Sequence, residues 1–321
     1  MTNNRRRRAT TVATALLAGS AVAAVATQAR RKRQQPRAVC PVLELTPIHR
    51  AGTGTPLLLL HGITAIWRAW SPILPHLEPH HDVIVPTLAG HGGGPLLDPQ
   101  VAPSLQALTD VIEDELDRLG LARVHVAGNS LGGWIGIELA RRGRADSLVL
   151  FSPAGAWRSQ RSIELRAAGI RRSFDAMSRY SSHADAMVAN PVLRRFLLAG
   201  QVAHPDRVPP EELAAVIRAS GMASVVTPLL RELPLRQVEP LPPDRDYPVR
   251  LVWGDRDLVL PFRGFGAAML ERLPGAELIR LHDVGHVPMT DDPVAVAKLI
   301  LEVTSAVDNA AMSTELGGRH A

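Results

Sequence analysis

Apolar residues along the chain fall into two alternating patterns, short aliphatic runs and longer stretches with helical spacing. The runs predict strands, and the purely aliphatic run at 56–60, bounded by Gly and Pro on one side and His61-Gly62 on the other, is typical of a central parallel strand buried on both faces. The runs cover residues 56–60, 82–85, 147–151, 249–253 and 277–281. In the other stretches apolar residues recur every three or four positions, which predicts helices. These cover residues 67–77, 104–119, 262–273 and 293–306.

The alternation of strand and helix predicts an α/β fold with a mostly parallel, doubly wound sheet and right-handed crossovers. Residues 42–49 are expected to add an edge strand or hairpin. Asp292 is the expected N-cap of the last helix, because its side chain can accept a backbone N–H and Pro293 suits the first helical position.

The alternation stops at Ser152, and the chain from 157 to 239 contains amphipathic helical stretches without a convincing strand. The stretches cover residues 163–178, 181–198, 210–220 and 224–233. We therefore predict a helical cap, residues 157–239, inserted into a core made of residues 38–156 and 240–306. Residues 307–321 are expected to form a flexible tail.

Residues 1–37 form a separate basic and apolar segment. Four arginines precede an uncharged run from Ala9 to about Ala29, and a second basic cluster follows at 30–33. The pattern fits a cleaved export signal or a weak membrane anchor formed by residues 9–29, with a disordered extension or a misplaced start codon as the third alternative. The expected location is a membrane or the cell exterior, and otherwise the cytoplasm.

Charge, cysteine content and missing motifs exclude several kinds of partner, cross-link and cofactor. Residues 1–37 contribute +9 to a net charge of +5, which leaves −4 for the remainder, so no nucleic-acid partner is expected. Cys40 is the only cysteine, so no disulfide can form within the chain. No phosphate loop, metal-ligand spacing or nicotinamide fingerprint is present, so neither a cofactor nor a metal is predicted.

An apolar run at 124–127 leads into the pattern Gly-x-Ser-x-Gly, and helical spacing begins directly behind it. This predicts a strand, a sharp turn and a helix, with Ser130 at the tip of the turn. Gly128 and Gly132 have no side chain, so strand and helix can approach closely, and the helix N-terminus offers free N–H groups. Ser130 is the candidate nucleophile. A Gly-rich turn can also carry a serine by chance, so the interpretation depends on finding the base and the acid that such a serine needs elsewhere in the chain.

Acidic and basic partners follow two later strands. Ligands bind beyond the carboxyl ends of the strands in an open parallel sheet, so residues just after each strand are the ones to inspect. Asp255 and Asp257 follow the run at 249–253, and His286 follows the run at 277–281. The chain order of nucleophile, acid and base is therefore Ser, Asp, His.

Taken together, these motifs resemble the α/β-hydrolase family over residues 42–306. The resemblance rests on five motifs: His61-Gly62, Gly90-His91-Gly92, Gly128-Asn129-Ser130-Leu131-Gly132-Gly133, Gly254-Asp255-Arg256-Asp257 with Pro261, and Gly285-His286-Val287-Pro288. The resemblance implies that Asp257, four residues before Pro261, is the acid, that His286 is the base, and that Asp255 is a bystander. It also implies an oxyanion hole formed by the backbone N–H groups of Ile63 and Leu131.

Other polar residues near these motifs have alternative roles. His61 and His91 are expected to brace loops rather than take part in the chemistry. His282 and Asp283 could substitute for the proposed base or acid. The family often has an acidic residue and a Pro or Arg before Gly-His-Gly, whereas this chain has Thr87-Leu88-Ala89, so hydrogen bonding in that loop is expected to differ.

The expected reaction is acyl transfer to water, because a serine with an oxyanion hole attacks an ester, thioester, lactone or amide. A carboxylic ester is the default. A serine rather than an aspartate at the turn argues against a dehalogenase or epoxide hydrolase. The cap is rich in apolar residues, which suits a small apolar ester, while its arginines either face solvent or meet a carboxylate on the substrate. These arginines are Arg158, Arg161, Arg166, Arg171 and Arg172.

Three alternatives stay open. Gly-Asn-Ser-x-Gly-Gly also resembles the turn of meta-cleavage-product hydrolases, which break a carbon–carbon bond, although their glycine-rich oxyanion loop is here only His61-Gly62-Ile63-Thr64. Perhydrolysis of the haloperoxidase type could use the same three residues. A non-catalytic binding protein with this fold is the third, although such proteins usually lose one of the three. Fold resemblance alone cannot settle the substrate.

Overall fold

Within the described residues, 41–318, seven strands form one sheet, and side chains are described through residue 313 of this computed structural model. In chain order the strands are β1 (Ile48–Ala51), β2 (Thr55–Leu60), β3 (His81–Pro86), β4 (Val124–Asn129), β5 (Ala145–Phe151), β6 (Val249–Gly254) and β7 (Glu277–Leu281). They lie in the order β1-β3-β2-β4-β5-β6-β7, with β1 antiparallel to β3 and every other pair parallel. The predicted mostly parallel, doubly wound sheet is confirmed.

Helices pack on both faces of this sheet. In chain order they are α1 (Leu74–Leu77), α2 (Leu105–Arg118), α3 (Leu131–Arg141), α4 (Gln160–Arg179), α5 (Ala184–Val188), α6 (Pro191–Leu198), α7 (Pro210–Ser220), α8 (Val226–Glu232), α9 (Gly266–Arg272), α10 (Pro288–Asp291) and α11 (Pro293–Gly318). Short 3₁₀ segments cover Trp67–Ile73, Ser181–His183, Pro205–Arg207 and Leu233–Leu235.

The aliphatic run in β2 explains the two-sided core. Leu58 and Leu60 join one hydrophobic cluster with residues of α2, α3 and α9. Leu57 and Leu59 point the other way and join a second cluster with the first 3₁₀ segment, α1 and α11. Because successive side chains of a strand face opposite sides, an unbroken aliphatic run needs a helix layer on each face.

The chain between β5 and β6 forms an insertion made of α4–α8 and their 3₁₀ segments. We use "cap" for residues 157–239 of this insertion. The predicted helix over 181–198 is wrong as one element, because Pro191 interrupts it. Asn190 accepts the N–H groups of Val192 and Leu193 and so starts α6 as a new helix.

Two further helix predictions need correction. The helix predicted over 67–77 is largely 3₁₀, because Pro72 and Pro75 lack the N–H groups that one continuous α-helix would need at these positions. The last helix was expected to end at Ala306, but α11 continues to Gly318. Asp308 bonds Thr55 and His125 of the sheet, at 2.8 and 3.1 Å, and these bonds hold the added turns.

Residues 1–37, in which an export signal or membrane anchor is expected, lie outside the described residues, as does Cys40. Among the residues that are described, no helix is both long and apolar enough to span a bilayer.

The order of the strands places the predicted site. The chain passes from β3 on one side of β2 to β4 on the other side, so the carboxyl ends of β2 and β4 flank a topological switch point. Leu60 pairs with Gly128 there, which brings His61-Gly62-Ile63 beside the turn that carries Ser130. Ligands of open α/β sheets bind at this kind of crevice.

Candidate active site

Ser130 lies at the tip of a strained turn between β4 and α3. Its backbone has φ 54° and ψ −115°, a region that non-glycine residues rarely occupy. The conformation is held by the backbone: the Ser130 N–H donates to Phe151 O at 3.1 Å, and Ser130 O accepts from Trp134 N at 3.2 Å and from Ala154 N at 2.9 Å. The predicted strand, turn and helix are therefore present.

Two glycines make the turn possible, because backbone atoms of neighbouring segments occupy the space that their Cβ atoms would need. A Cβ on Gly132 would lie 2.2 Å from Leu60 O, and a Cβ on Gly128 would lie 2.4 Å from Gly132 O. Both distances are far below van der Waals contact. The predicted close approach of strand, helix and neighbouring strand thus depends on the missing side chains at these two positions.

His286 and Asp257 meet beyond the ends of β7 and β6. His286 Nδ1 lies 2.8 Å from Asp257 Oδ2, and the side chains are only 6% and 0% exposed. Asp257 Oδ1 accepts the Leu260 N–H at 2.7 Å, so both carboxylate oxygens are occupied. A proton on Nδ1 donates to Asp257, which leaves Nε2 of the imidazole free for proton transfer.

Asn129, the residue before Ser130, links the turn to this pair. Its Nδ2 donates to His286 O at 2.9 Å and to Phe151 O at 3.0 Å, both in the interior. The sequence motif contained Asn129 without suggesting this role, because a side-chain bond to a carbonyl 157 positions away leaves no local pattern. The Ser130 hydroxyl itself makes no hydrogen bond to any residue that the structure describes. Hydrogen bonds of this kind often tighten only when substrate binds.

The alternative acid and base lie at the surface. Asp255 pairs with His282, whose Nδ1 is 2.7 Å from Asp255 Oδ2 and whose side chain is 91% exposed. Asp283 pairs with Arg256 at 2.7 Å and with His204 at 3.2 Å. Burial would raise the pKa of Asp255, but hydrogen bonds from His282 and the Asp283 N–H lower it below its ordinary value. His282 and Asp283 therefore do not belong to the buried pair beside Ser130, which consists of His286 and Asp257.

Two backbone N–H groups near Ser130 are free to bind an anion. Within residues 41–318, neither the Ile63 N–H nor the Leu131 N–H donates a hydrogen bond to the protein. Leu131 is the first residue of α3, where helical N–H groups have no intrahelical acceptor. Ile63 follows Gly62, where an added Cβ would lie 3.3 Å from Ser130 Cβ. The two predicted oxyanion donors therefore flank the serine.

His61 orients the Gly62–Ile63 peptide. The Leu88 N–H donates to His61 Nε2 at 2.9 Å, so the ring proton is on Nδ1, which donates to Gly62 O at 2.8 Å. In a trans peptide the N–H points away from the C=O, so holding Gly62 O also sets the direction of the Ile63 N–H. Complete burial lowers the pKa of His61 to about 3, which keeps the ring neutral and able to accept from Leu88.

His91 braces the same loop from the other side. Its Nε2 lies 2.8 Å from Ile63 O, and its ring packs edge-on against that of His61 at 5.1 Å. Burial lowers the pKa of His91 below its ordinary value. The two histidines thus support the oxyanion loop without reaching the reacting atoms.

Residues of the cap contact the loops that carry Ile63 and Asp257. The Ile63 side chain packs against a cap cluster that contains Phe174. Arg166 donates to Leu258 O at 2.7 Å and Val259 O at 2.8 Å, just after Asp257. Arg166 is therefore not on a solvated helix face, whereas Arg158 forms an exposed pair with Glu271.

Two cavities lie in different parts of the molecule. A cavity of about 10 Å³ lies beside the oxyanion loop, between Thr64, His91 and Phe174. This volume is near the minimum for a single water molecule. A cavity of about 280 Å³ lies elsewhere, at the amino ends of β6 and β7 near Arg250 and Glu277, and contains none of the predicted site residues. Ser130 itself is 8% exposed.

Metal-binding geometry is absent from the described part of the chain, where no three His, Cys, Asp or Glu side chains are grouped to hold an ion. The site therefore consists of a serine, an imidazole, a carboxylate and two backbone donors, all at the carboxyl edge of the sheet. This set can carry a nucleophile, move a proton and stabilise an oxyanion.

Comparison with known proteins decides the family. Residues 57–299 match the pattern of the alpha/beta hydrolase family. The chain belongs to this family. The α/β-hydrolase fold expected from the sequence motifs is confirmed, and the protein is a hydrolase.

Named relatives have different substrates. The chain is 31% identical over 217 residues to an epoxide hydrolase (EphH) of Mycobacterium tuberculosis, covering 61% of this chain and 93% of the relative. It is 30% identical over 262 residues to the pimeloyl-[acyl-carrier protein] methyl ester esterase of Aromatoleum aromaticum, covering 77% and 97%. A thermophilic esterase from Thermogutta terrifontis matches with a TM-score of 0.62 at 24% identity, covering 81% and 93%, a likeness that concerns the fold alone.

Proposed function

We propose that this α/β hydrolase is a cofactor-free serine hydrolase that cleaves a carboxylic ester through Ser130, His286 and Asp257. The observation that carries the proposal is the buried 2.8 Å contact between His286 Nδ1 and Asp257 Oδ2, next to the turn that carries Ser130. Serine is a poor nucleophile at its own pKa and needs a neighbouring base, which in turn needs a fixed tautomer. Asp257 fixes the tautomer of His286 by accepting a hydrogen bond from its Nδ1–H.

The reaction proceeds in two halves. Ser130 Oγ attacks the ester carbonyl carbon while His286 Nε2 takes the hydroxyl proton, and the carbonyl oxygen becomes an oxyanion. The intermediate collapses, the alcohol leaves with the proton from His286, and the acyl group stays on Ser130. Water then attacks the acyl-enzyme with His286 as base, which releases the acid and restores Ser130.

Two backbone donors stabilise the oxyanion in both halves. The Ile63 and Leu131 N–H groups have no acceptor among the described residues, so they can bind the developing charge without first breaking another bond. Donors fixed before the reaction stabilise the transition state more than donors that must reorient. His61 and His91 hold the loop that carries Ile63.

The substrate is an ester with a small apolar part. Ile63 packs against a cluster of apolar cap residues that includes Phe174, so one side of the oxyanion loop is apolar. One relative is named as a methyl ester esterase, which supports an ester. Another is named as an epoxide hydrolase. We do not propose epoxide hydrolysis, because opening an epoxide through an ester intermediate requires a carboxylate where this chain has Ser130.

In this proposal, residues 157–239 act as a cap over a core of 38–156 and 240–306. Ser130, His286 and Asp257 are each less than a tenth exposed, and the cavity beside the oxyanion loop is about 10 Å³. Substrate entry therefore requires the cap to move away from the core, as lids do in many hydrolases.

The test is turnover of p-nitrophenyl acetate, butyrate and octanoate by the full chain, with Ser130→Ala as control and styrene oxide as a competing substrate class. We expect ester turnover that Ser130→Ala lowers by several orders of magnitude, and no epoxide turnover. Epoxide turnover that survives Ser130→Ala, or a folded chain without any ester turnover, would overturn the proposal.

A further inference from the structure

A second buried carboxylate lies close to His286 and is not used by the chemistry. Asp291, the last residue of α10, is 1% exposed. Its Oδ2 accepts the N–H groups of Gly285 and Ala203, each at 2.8 Å, and its Oδ1 accepts the N–H of His204 at 2.8 Å. One carboxylate therefore joins the residue before His286 to two consecutive residues of the cap.

The residue after His286 is also bound to the cap. The Val287 N–H donates to Gln201 O at 2.9 Å, and the Val287 side chain packs against a cap cluster that includes Met187 and Leu213. A Cβ on Gly285 would lie 2.8 Å from Gln201 O, so the two backbones are already in close contact. The chain on both sides of His286 is thus held by the cap segment 201–204.

Among the residues that the structure describes, the backbone of His286 makes one hydrogen bond to the core. Asn129 Nδ2 donates to His286 O at 2.9 Å. Its other fixed point is the side-chain contact with Asp257. The position of the imidazole relative to Ser130 therefore depends on where the cap segment holds Gly285 and Val287.

We propose that Asp291 is a positioning residue, through which cap segment 201–204 holds the His286 loop in the geometry needed for proton transfer. The inference rests on the proposed function of Ser130, His286 and Asp257. Asp291 does not touch the reacting atoms, so its effect acts on the rate of the chemical step rather than on substrate binding. A displacement of about 1 Å at a reacting group can cost about 100-fold in rate.

The neighbouring residue offers a matched control. Asp292 is also an acid that accepts a backbone N–H, from Ala295 at 3.0 Å, but this bond caps α11 and does not involve the cap segment or His286. Asp291→Ala and Asp292→Ala therefore remove the same side chain from adjacent positions. Only the first removes hydrogen bonds that join the cap segment to the His286 loop.

Kinetics separates positioning from general stability. With p-nitrophenyl esters and folded protein, we expect Asp291→Ala to lower kcat by about 10- to 100-fold with KM within about threefold, and Asp292→Ala to change both by less than about twofold. Asp291→Asn keeps one acceptor oxygen and turns an amide donor toward a backbone N–H, so it should recover part of the loss. Equal losses in the Asp291→Ala and Asp292→Ala variants, or unchanged kcat in a folded Asp291→Ala, would overturn the proposal.

A spectroscopic readout tests the positioning independently of any activity. The His286 Nδ1 proton shared with Asp257 should give a downfield ¹H NMR signal, assigned by its loss in His286→Gln. We expect Asp291→Ala to broaden or remove this signal and Asp292→Ala to keep it. If the unaltered chain shows the signal but cleaves no ester, the proposed function fails while this test still applies.

Hydrogen exchange of the unaltered chain covers the case in which Asp291→Ala does not fold. Amides bound to one carboxylate should open together, so Ala203, His204 and Gly285 are expected to exchange at rates within about threefold of one another as urea is raised. Exchange of Ala203 and His204 more than about tenfold faster than Gly285 would show that the cap segment and the His286 loop open separately, which contradicts the proposal.

Discussion

At the scale of single residues, the strained backbone of Ser130 is the most demanding feature of the site. Its φ of 54° is maintained by backbone hydrogen bonds with Phe151, Trp134 and Ala154 and by two glycines that let the backbones meet. Strain of this kind persists only when the surroundings fix it, and it places the side chain beyond the carboxyl ends of the strands.

Gly132→Ala tests this packing. The new Cβ would lie 2.2 Å from Leu60 O, so β2 or α3 must move. We expect a loss of about 3 kcal/mol or more in the free energy of unfolding, measured by urea titration. Gly264→Ala is the control, since its Cβ would have open space, and it should change stability by less than about 0.5 kcal/mol. Superimposable unfolding curves for the two variants would refute the packing argument.

Asp257 and Asp255 form a natural pair for assigning the acid. Asp257 is buried against His286, whereas Asp255 pairs with the exposed His282. Asp257→Ala should lower kcat/KM for ester hydrolysis by roughly 10³- to 10⁴-fold, because the imidazole loses its fixed tautomer and its counter-charge. Asp255→Ala should stay within about threefold of the unaltered chain. The reverse result would move the acid to Asp255.

Sequence patterns predicted some of these residues and missed others. The turn around Ser130 has a local signature, and the acidic residues and His286 follow strands, so their order could be predicted along the chain. The choice of Asp257 over Asp255 came from the resemblance to α/β hydrolases. Asn129 and Asp291 act through bonds to backbone groups that are remote in sequence. Such bonds depend on where the folded chain brings Phe151, Ala203 and His286, and no spacing rule encodes that.

At the scale of elements, α11 is bound to the sheet at the end opposite the site. Asp308 Oδ2 accepts from the Thr55 hydroxyl at 2.8 Å, and Asp308 Oδ1 lies 3.1 Å from His125 Nε2. Thr304 Oγ1 contacts His81 Nε2 at 2.8 Å. The helix is therefore joined to β2, β3 and β4 by polar contacts near their amino ends.

Removing Asp308 should weaken this joint without affecting chemistry. Asp308→Ala leaves Thr55 and His125 without a partner on α11, so we expect about 1–3 kcal/mol less stability in urea unfolding. Turnover should be unchanged, because the joint lies at the amino ends of the strands. Asn309→Ala, on the exposed side of the helix, is the control and should be neutral. Loss of turnover in folded Asp308→Ala would show coupling between the two ends that the structure does not contain.

Strands were predicted more closely than helices. Aliphatic runs identified β2, β3, β5 and β6, since most of their residues are buried and their apolar residues are contiguous. The edge strand β7 was also predicted, although none of its residues is fully buried. Helix bounds failed where prolines interrupted the spacing, as at Pro72 and Pro191, and where a tertiary contact extended a helix, as Asp308 does in α11. Spacing of apolar residues reports a helical face but not where the backbone hydrogen bonds stop.

At the scale of the whole molecule, buried neutral histidines link folding to pH. Burial lowers the pKa of His61, to about 3, and also lowers the pKa values of His91 and His81. In the unfolded chain a histidine binds a proton near pH 6.5. The unfolded state therefore binds more protons than the folded state below that pH, and stability must fall on acidification.

We expect the free energy of unfolding to fall as pH decreases from 6.5 toward 4, with His61 alone contributing about 1.4 kcal/mol per pH unit. Urea unfolding at intervals of half a pH unit measures the slope. His61→Gln should flatten the slope by about one such contribution, whereas His80→Gln, at an exposed site, should leave it unchanged. A flat profile between pH 6.5 and 4 would contradict the burial of neutral rings.

The measurement that most directly tests the account is mass mapping of the adduct formed by a fluorophosphonate probe on the full chain. The account predicts one adduct, located on the peptide that contains Ser130, with labelling abolished by Ser130→Ala and slowed about 10³-fold or more by His286→Gln. An adduct on any other residue, or labelling of Ser130→Ala at the rate of the unaltered chain, would contradict the central claim that Ser130 and His286 act as one nucleophilic unit.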